Sequence, residues 1–435
     1  MRLNELKNKK ILILGFGKEG MDSFRFLRKL FPKKILGIGD RNESVKTKMP
    51  SVKKVRWHLG KDYLKALKNY DLIIKSPGIP IHLPEVEKAF KRGKITSQTE
   101  IFLKNCPGKI VGITGTKGKG TTTSLIYGVL KEGGIKAHLV GNIGRPVLKL
   151  LFSATPKDVY VYEMSSHQLY NLKKSPQIAV FLNIYPEHLD YYQNFKEYAN
   201  AKANITCYQS KDDFLIYNSK NKFVREIAKK SKAKKIAFDR CPLFAPLKGK
   251  LIGRFNQENI KAAVCVGKIF GIPKEKIAKA IQNFKPLPHR LELVGNFKGI
   301  TFYNDALSTI PETAIAALDT LGNKVQTIIL GGYDRGLDFK NLAKRILKSK
   351  IKNLILFPTT GEKIWQTILK HKPSPTRFQV NQAVNMKEAV KLAYQNTQKG
   401  KICLLSCASP SFSLFRDYKE KGNLFKKYVK IYAKK

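Results

Sequence analysis

Short apolar runs recur along the chain, and between them apolar and polar positions mix with a helix-like spacing. In the N-terminal segment Lys10–Gly15, Lys34–Gly39 and Leu72–Lys75 read as strands set between helical stretches. That βαβ rhythm predicts a parallel sheet. Asn105-Cys106-Pro107-Gly108 punctuates the chain as a linker. Beyond it Lys109–Thr114, Val159–Glu163 and Ile178–Asn183 are predicted strands of a second α/β segment, with a helix over Ser124–Leu130. Pro286 and Pro288 stiffen a second junction, Phe284–His289. A third set of strands follows at Ile300–Asn304, Thr327–Gly331, Asn353–Phe357 and Lys401–Ser406. The pattern predicts three α/β domains in tandem, over residues 1–106, 107–286 and 287–435, with no internal repeat.

Composition supports packed domains: 43% of the 435 residues are hydrophobic and 10% aromatic, which argues against disorder. The longest apolar runs, such as Ile11–Gly15 and Leu354–Phe357, fall far short of the ~20 residues that span a bilayer. The N-terminus, MRLNELKNKK, turns charged before any apolar core and so does not read as a secretory signal. A cytoplasmic, soluble monomer is expected. Charge complicates this picture, because 82 Lys and Arg stand against 32 Asp and Glu, a formal +50. Such an excess suits nucleic acid or an anionic membrane. The lysines are spread from end to end, however, and no zinc-finger or RNP-type signature accompanies them. They are read as solvated faces, with neither a nucleic-acid partner nor a membrane span. The six cysteines contain no C-x-x-C pair and are expected to be reduced thiols.

Two glycine-rich turns carry candidate chemistry. Gly15-Phe16-Gly17-Lys18-Glu19-Gly20 is a G-x-G-x-x-G directly after a strand, and a second strand ends at Asp40, as a dinucleotide fingerprint demands. Taken alone this argues for NAD, but any diphosphate suits the same geometry. GITGTKGKGTTT (112–123) is the stronger signal: a strand runs into a glycine loop with an embedded Gly-Lys, then hydroxyl residues. Backbone N–H groups can cradle phosphates there, and Lys119 can neutralise the β and γ oxygens. The loop departs from the strict Walker pattern at Ile113 and at Gly120, so Thr121 becomes the best candidate for a metal-facing hydroxyl. Two further strands end in Glu163 and in Asn183, the latter followed by Pro186-Glu187-His188-Leu189-Asp190. A carboxylate and an imidazole near a phosphate loop are candidate metal partners.

Together these residues resemble one family, the ATP-dependent Mur ligases, relatives of folylpolyglutamate synthetase. The matching blocks are GITGTKGKGTTT (112–123), YEMSSHQL (162–169), NIYPEHLDYY (183–192) with YANAKANI (198–205), GRFNQENIKAA (253–263), PHRLELV (288–294), NDALSTIPETAIAAL (304–318) and LGGYDRGLDF (330–339). They follow the family's order across all three segments. The first glycine turn, Ser76-Pro77-Gly78-Ile79 and the tail SCASPSFSLFRDYKEKGNLF (406–425) resemble the glutamate-adding members.

The resemblance implies three tandem α/β domains: a Rossmann-like UDP-binding domain, a central P-loop ATPase domain and a C-terminal Rossmann-like domain that takes glutamate. It implies that ATP phosphorylates the free carboxylate of UDP-N-acetylmuramoyl-L-alanine. The glutamate amine then attacks the acyl phosphate and phosphate leaves, a step in cytoplasmic peptidoglycan precursor synthesis. Two anions must approach each other, so clustered positive charge is required. Lys119, Arg290 and two Mg²⁺ ions are expected to supply it. The resemblance places ATP against Gly115, Thr116, Lys117, Gly118, Lys119, Gly120, Thr121, Thr122, Asn259, Arg290 and Asp305. Thr121 and Glu163 would hold one metal, His188 and a carbamylated Lys202 the other. Without the resemblance, Lys202 would be taken for an exposed helix lysine. The UDP substrate would meet Gly15, Phe16, Gly17, Lys18, Asp40, Arg41, Ser76, Pro77, Gly78, Asn142 and His289. Glutamate would meet Thr309, Arg335, Ser411, Phe412 and Tyr418. A nucleotide site shared across domains is expected to be assembled by domain closure, which excludes water.

The chain departs from the D-glutamate pattern in two places. Where those members read Asp-Ser-Lys-Ala-Thr-Asn, this chain reads Asp305-Ala306-Leu307-Ser308-Thr309-Ile310, and a later lysine is replaced by Arg335. The forms NDALSTIPE and GGYDRGLDF look similar to an L-glutamate-adding variant, so either enantiomer is open. Three rival readings are weaker. An NAD-dependent dehydrogenase leaves the second loop, Glu163, His188 and Asn259 without a role. A nucleic-acid-stimulated P-loop ATPase rests on charge alone. Folate polyglutamylation fits poorly with a UDP-type first domain.

Overall fold

The computed structural model describes residues 2–48, 53–188, 190–242, 251–372, 377–412 and 414–434. Most of the apolar runs become strands buried on both faces, the condition of parallel sheets flanked by helices. The first sheet contains β1 (Ile11–Leu14), β2 (Leu36–Asp40), β3 (Val55–Leu59), β4 (Leu72–Lys75) and β5 (Ile95–Thr96). All neighbours are parallel, in the order β3-β2-β1-β4-β5. The second contains β6 (Lys109–Thr114), β7 (Ala137–Gly141), β8 (Val159–Glu163), β9 (Ile178–Phe181), β10 (Phe214–Tyr217) and β11 (Lys234–Ala237). It is also wholly parallel, ordered β11-β10-β9-β6-β8-β7. The third contains β12 (Glu292–Phe297), β13 (Ile300–Asn304), β14 (Val325–Gly331), β15 (Asn353–Phe357), β16 (Gln379–Gln382) and β17 (Ile402–Leu405). Its order is β12-β13-β17-β14-β15-β16, with β12 antiparallel to β13. Their hairpin turns through Lys298 and Gly299, both with positive φ (52° and 80°), which matches the right-handed twist of the strands it joins.

The predicted strands that lie inside sheets, among them β4, β6, β8, β13 and β15, run over the expected residues. Those missed include edge and near-edge strands such as β3, β11 and β16. Lys234 and Lys235 of β11 are exposed, and β16 reads Gln-Val-Asn-Gln, so one-sided burial left no continuous apolar run. The helix after β6 begins at Lys119, earlier than the expected Ser124, because Gly118 (φ +87°) caps it from within the loop.

The chain forms two compact units. The first comprises Met1–Tyr185, Tyr191–Leu247 and Asn259–Ile281, and the second Pro186–Asp190, Lys248–Glu258 and Gln282–Lys435. Within the first unit the two sheets share one core. Phe102 sits edge-on to Tyr160 and Tyr162, with centroids 5.1 and 6.1 Å away, and the Tyr162 hydroxyl bonds Thr99 Oγ1 at 3.0 Å. Each such buried aromatic contributes roughly 1.5–3 kcal/mol by leaving water. In the second unit separate clusters, one around Leu330 and Leu342 and one around Phe302 and Phe425, fill the packing of the third sheet. Among the described residues no helix is long and apolar enough to cross a membrane.

The two glycine-rich loops leave the carboxyl ends of β1 and β6 at switch points in strand order, the usual ligand position in open α/β sheets. In the first sheet the chain turns at Gly15 (φ +86°), where an added Cβ would lie 2.9 Å from Ser76 Cβ. At Gly20 an added Cβ would lie 2.0 Å from the Gly15 carbonyl oxygen, whereas at Gly17 it would meet nothing within 4 Å. Gly20 therefore serves protein packing and Gly17 leaves open space. Gly20→Ala should cost about 1–3 kcal/mol through overpacking. Gly17→Ala should stay within about 0.5 kcal/mol, and equal shifts in the midpoints of urea unfolding would contradict this division.

Candidate active site

The glycine loop after β6 is held from outside its own segment. Asn183, just beyond β9, clamps Lys117 at two points: Lys117 N donates to Asn183 Oδ1 at 2.9 Å and Asn183 Nδ2 donates to Lys117 O at 3.0 Å. Thr116 N donates to the Asn183 carbonyl at 2.9 Å, and Thr116 Oγ1 bonds the buried Tyr198 hydroxyl at 2.9 Å. Thr122 Oγ1 donates to Asn259 Oδ1 at 3.0 Å, and a Cβ at Gly118 would collide with that same oxygen at 2.6 Å. Thr121, Thr122 and Thr123 are buried in the first turn of the helix, whose N-terminus favours anions.

Positive charge converges on this loop. Lys119 Nζ donates to Gly115 O at 3.0 Å and to Thr116 O at 2.9 Å, and Lys202 Nζ donates to the same Gly115 oxygen at 2.9 Å. Lys202 is 1% exposed and its Nζ lies 4.9 Å from the Tyr198 ring centroid, so it is not an exposed helix lysine. Glu163 ends β8, in register with Ile113 of β6 and Gly141 of β7. Its Oε2 is buried and makes no hydrogen bond among the described residues. A buried carboxylate oxygen left unpaired is costly, and a hard cation satisfies it. Among the described residues no cluster of three or more His, Cys, Asp or Glu is poised to hold a metal. Mg²⁺ takes one or two carboxylates and fills the rest of its shell with phosphate oxygens and water, and Glu163 Oε2 is a donor of that kind.

The first turn is built differently from a ribose-reading dinucleotide site. Asp40 Oδ2 accepts from Phe16 N at 2.6 Å and Oδ1 from Asn42 N at 2.8 Å, so both oxygens brace the turn itself. Ser76 Oγ donates to the Gly15 carbonyl at 2.7 Å, and Lys18 Nζ reaches Gly144 O, next to the exposed Asn142 loop, at 3.3 Å. Arg41 is exposed, Gly78 has open space where a Cβ would be, and Pro77 O accepts from Tyr191 OH at 3.2 Å. Sequence reasoning passed over Lys75 and Glu19 here. Lys75 Nζ donates to Ser76 O and Ile79 O at 3.1 and 2.8 Å, and burial pulls its pKa down to about 8 against the pull of Glu19. Burial pushes the Glu19 carboxyl up, opposed by the bond from Gln168 Nε2 at 2.7 Å.

In the second unit two left-handed residues, His289 (φ +64°) and Leu291 (φ +47°), flank Arg290. Non-glycine residues in that region store strain of about 1–3 kcal/mol each and mark functional turns. Hydrogen bonds hold them: Leu291 N donates to Asp305 Oδ1 at 3.0 Å, and Leu307 N donates to the His289 carbonyl at 3.1 Å. Asn304 Nδ2 faces Glu292 Oε2 and Gly422 O as well as His289 Nδ1, so His289 accepts at Nδ1. Burial, then Lys426, lowers the His289 pKa, which favours the neutral ring. Asp305 is half-buried, and burial pushes its pKa up to about 6 against bonds from Ser406 Oγ and Leu291 N.

The residues expected to take glutamate are partly assembled. Arg335 lies with its guanidinium carbon 5.6 Å from the Phe412 ring centroid and its Nε 3.6 Å from Asp190 Oδ2. Arg335 Nε and Ser411 Oγ are buried without hydrogen-bond partners among the described residues. Thr309 Oγ1 donates to Glu187 Oε1 at 3.3 Å. Tyr418 instead sits edge-on to His289, 6.0 Å between centroids. His188 belongs to the same unit, half-buried at φ +59°, with Nε2 3.9 Å from Glu187 Oε2. Leu189, within the NIYPEHLDYY block, and Ser413, within the tail, lie outside the described residues.

A strand entering a glycine loop and helix at a switch point, with converging lysines and an unpaired carboxylate on the next strand, defines a P-loop nucleotide-binding α/β protein. The chain belongs to the Mur ligase family of ATP-dependent ligases. The family's middle domain matches residues 113–242, its MurD-like N-terminal domain residues 9–96, and its glutamate ligase domain residues 289–409. The chain is 34% identical to the UDP-N-acetylmuramoylalanine--D-glutamate ligase of Acetivibrio thermocellus, over 98% of this chain and 97% of that one. It is 35% identical to the enzyme of the same name from Clostridium acetobutylicum, with the same coverage. Among solved structures it is similar to the Thermotoga maritima UDP-N-acetylmuramate-alanine ligase MurC (TM-score 0.61, 16% identity, 98% of this chain and 100% of that one). It is equally similar to MurF ligase of the same organism in complex with ADP (TM-score 0.61, 15% identity, 99% and 97%). These likenesses show the fold.

The raised carboxyl of Asp305 has a consequence for stability. Its folded pKa exceeds the usual 3.8, so the folded state holds the proton more tightly and stability falls as pH rises from about 4 to about 6. A shift of this size corresponds to roughly 3 kcal/mol. The difference in unfolding free energy between wild type and Asp305→Asn should change by that order across the window. A pH-independent difference in urea titrations would remove the assignment.

Proposed function

We propose that this chain adds glutamate to the L-alanyl carboxylate of UDP-N-acetylmuramoyl-L-alanine, using ATP and passing through an acyl phosphate. It would act in the cytoplasm, as a monomer, in peptidoglycan precursor synthesis. The reading places UDP recognition in residues 1–106, ATP in 107–286 and glutamate in 287–435. The observation that carries it is the convergence of Lys119 and Lys202 on one loop carbonyl, with the unpaired Glu163 on the adjoining strand.

The chemistry follows from charge. The alanyl carboxylate attacks the γ-phosphorus, an O–P bond forms, the bond to the β-phosphate bridge breaks and ADP departs. Loop N–H groups other than those of Thr116, Lys117 and Thr122, which are bonded within the protein, stabilise with Lys119 and Arg290 the charge that spreads over the transferring phosphoryl oxygens. Mg²⁺, held by Glu163 and Thr121 at one position and by His188 and a carbamylated Lys202 at another, supplies further positive charge when bound. The glutamate amine then attacks the acyl carbon, sheds a proton, and the C–O bond to phosphate breaks. Asn259 and Asp305 orient the nucleotide. Gly15, Phe16, Gly17, Lys18, Asp40, Arg41, Ser76, Pro77, Gly78, Asn142 and His289 form the UDP-substrate side. Thr309, Arg335, Ser411, Phe412 and Tyr418 hold glutamate, and Arg335 Nε and Ser411 Oγ, neither hydrogen-bonded among the described residues, are donors suited to its carboxylates.

D-glutamate, named for the relatives, is the first reading of the enantiomer. The L form is the second, favoured by Leu307 and Arg335. A lysine offers a point charge, whereas Arg335, laid against Phe412, offers a planar fork. Phosphate release with ATP, Mg²⁺ and UDP-N-acetylmuramoyl-L-alanine should appear on adding glutamate. Release with only one enantiomer settles the choice, and silence with both overturns the substrate. Lys119→Ala should reduce the rate about 100-fold or more. Labelled bicarbonate should give a carbamate carbon resonance in wild type and none in Lys202→Arg. Its absence in both would dispose of carbamylation while leaving the ligase reading intact.

A further inference from the structure

β11 ends in the short turn Phe238-Asp239-Arg240, which delivers Cys241 onto the helix Arg254–Ile269. There Cys241 and Cys265 line one cavity together, and Lys268 Nζ lies 3.8 Å from Cys241 Sγ, which also faces the Pro242 carbonyl oxygen at 3.8 Å. Lys261, on the same helix, donates to Asp239 O at 3.0 Å and adds a second cation near the sulfur. Asp239, two residues before Cys241, has both oxygens taken by Ser219 N and Oγ at 2.7 and 2.8 Å. A cavity of about 400 Å³ opens at the pair, with apolar walls from Ile236, Ala237 and Ile269 and with Arg240 at its side. No residue of this cluster has a part in the ligase chemistry.

The two thiols are unequal. Cys265 and Lys268, with Lys261 behind them, pull the Cys241 thiol down to about 6 despite its burial. Cys265, 2% exposed and facing that developing negative charge, is pushed far up. A thiolate set among cations at the wall of a cavity, with a protonated thiol beside it, is the arrangement of an attacking and a resolving cysteine.

We propose that Cys241 and Cys265 are an oxidisable dithiol, in which Cys241 captures a small anionic disulfide from the cavity and Cys265 resolves it. The Cys241 thiolate attacks one sulfur of the small disulfide, its S–S bond breaks and one thiolate leaves. Cys265 then loses its proton to the medium and attacks Cys241 Sγ. The mixed disulfide breaks, a second small thiolate leaves and the Cys241–Cys265 bond remains. Two electrons pass from the protein thiols to the small disulfide. The helix that bears Cys265 also carries Asn259 to the nucleotide loop, so the bond forms on an element of that site.

The test uses the full chain with the exposed Cys207 replaced (Cys207→Ser) and 5,5′-dithiobis(2-nitrobenzoate) near pH 6.5. The expected fast phase releases two thionitrobenzoate per chain, leaves no label, and yields a peptide cross-link between residues 241 and 265. Cys265→Ser should release one and retain the label on Cys241, and Cys241→Ser should lose the fast phase. The rate should halve near pH 6 rather than near the ~8.5 of an ordinary thiol. Label retained with Cys265 present, a fast thiol mapped elsewhere, or an ordinary pH profile overturns the proposal. The mapping and the pH profile need no substitution at either cysteine, so a poorly folding variant does not decide the matter.

Discussion

The two-point amide clamp of Asn183 on Lys117 is the contact on which the nucleotide loop depends. A phosphate loop must keep several N–H groups unpaired and pointing outward, which a free peptide segment does not do on its own. Asn183 satisfies both polar groups of Lys117 and, through its own carbonyl, the N–H of Thr116. Tyr198 ties down the Thr116 hydroxyl. With those bonds taken, the loop's remaining donors stay committed to its mouth. The clamp comes from the end of β9, the neighbour of β6, so the parallel sheet itself sets its distance.

The same sheet order gathers the charges. β6 lies between β8 and β9, which brings Glu163 to one side of the loop and Asn183 to the other. The helix carrying Tyr198 also carries Lys202, so the residue that braces the loop and the lysine that reaches Gly115 move as one piece. In the third sheet β13 and β17 are neighbours, and their ends place Ser406 against Asp305. That contact, with Leu291 N, holds the strained turn that presents Arg290. Each cationic group is therefore fixed by a strand end rather than by a mobile loop, the preorganisation that electrostatic catalysis requires.

The parts of this arrangement that sequence could reveal were those with a local signature. Central strands were legible because two-sided burial writes a continuous apolar run, and the loop was legible because its glycines and lysine are adjacent. Edge strands such as β16 were not, since a strand covered on one face carries polar residues. The clamp was invisible for a different reason: Asn183 and Lys117 are far apart in sequence and no residue type announces the pairing. Lys75, the strained His289 and Leu291, and the contact of Cys241 with Cys265 share that non-local origin. Cys241 and Cys265 show no C-x-x-C spacing, so the expectation of reduced thiols carried no sign that these two line one cavity.

Lysine number says little in a chain carrying a formal +50. A solvated ammonium loses most of its reach within a Debye length of about 8 Å at physiological salt. The lysines that matter are those the fold takes out of water. Lys202 is 1% exposed at the loop, Lys75 is half-buried beside Glu19, and Lys421 is 1% exposed beside the Cys407 thiol. In low dielectric each interacts with an incoming anion several-fold more strongly than a surface lysine does. Each also carries a desolvation cost that such an anion offsets. The extreme composition and the site chemistry are thus separate facts, because the first concerns exposed faces and the second depends on the few ammonium groups, Lys202 above all, that the fold takes out of water.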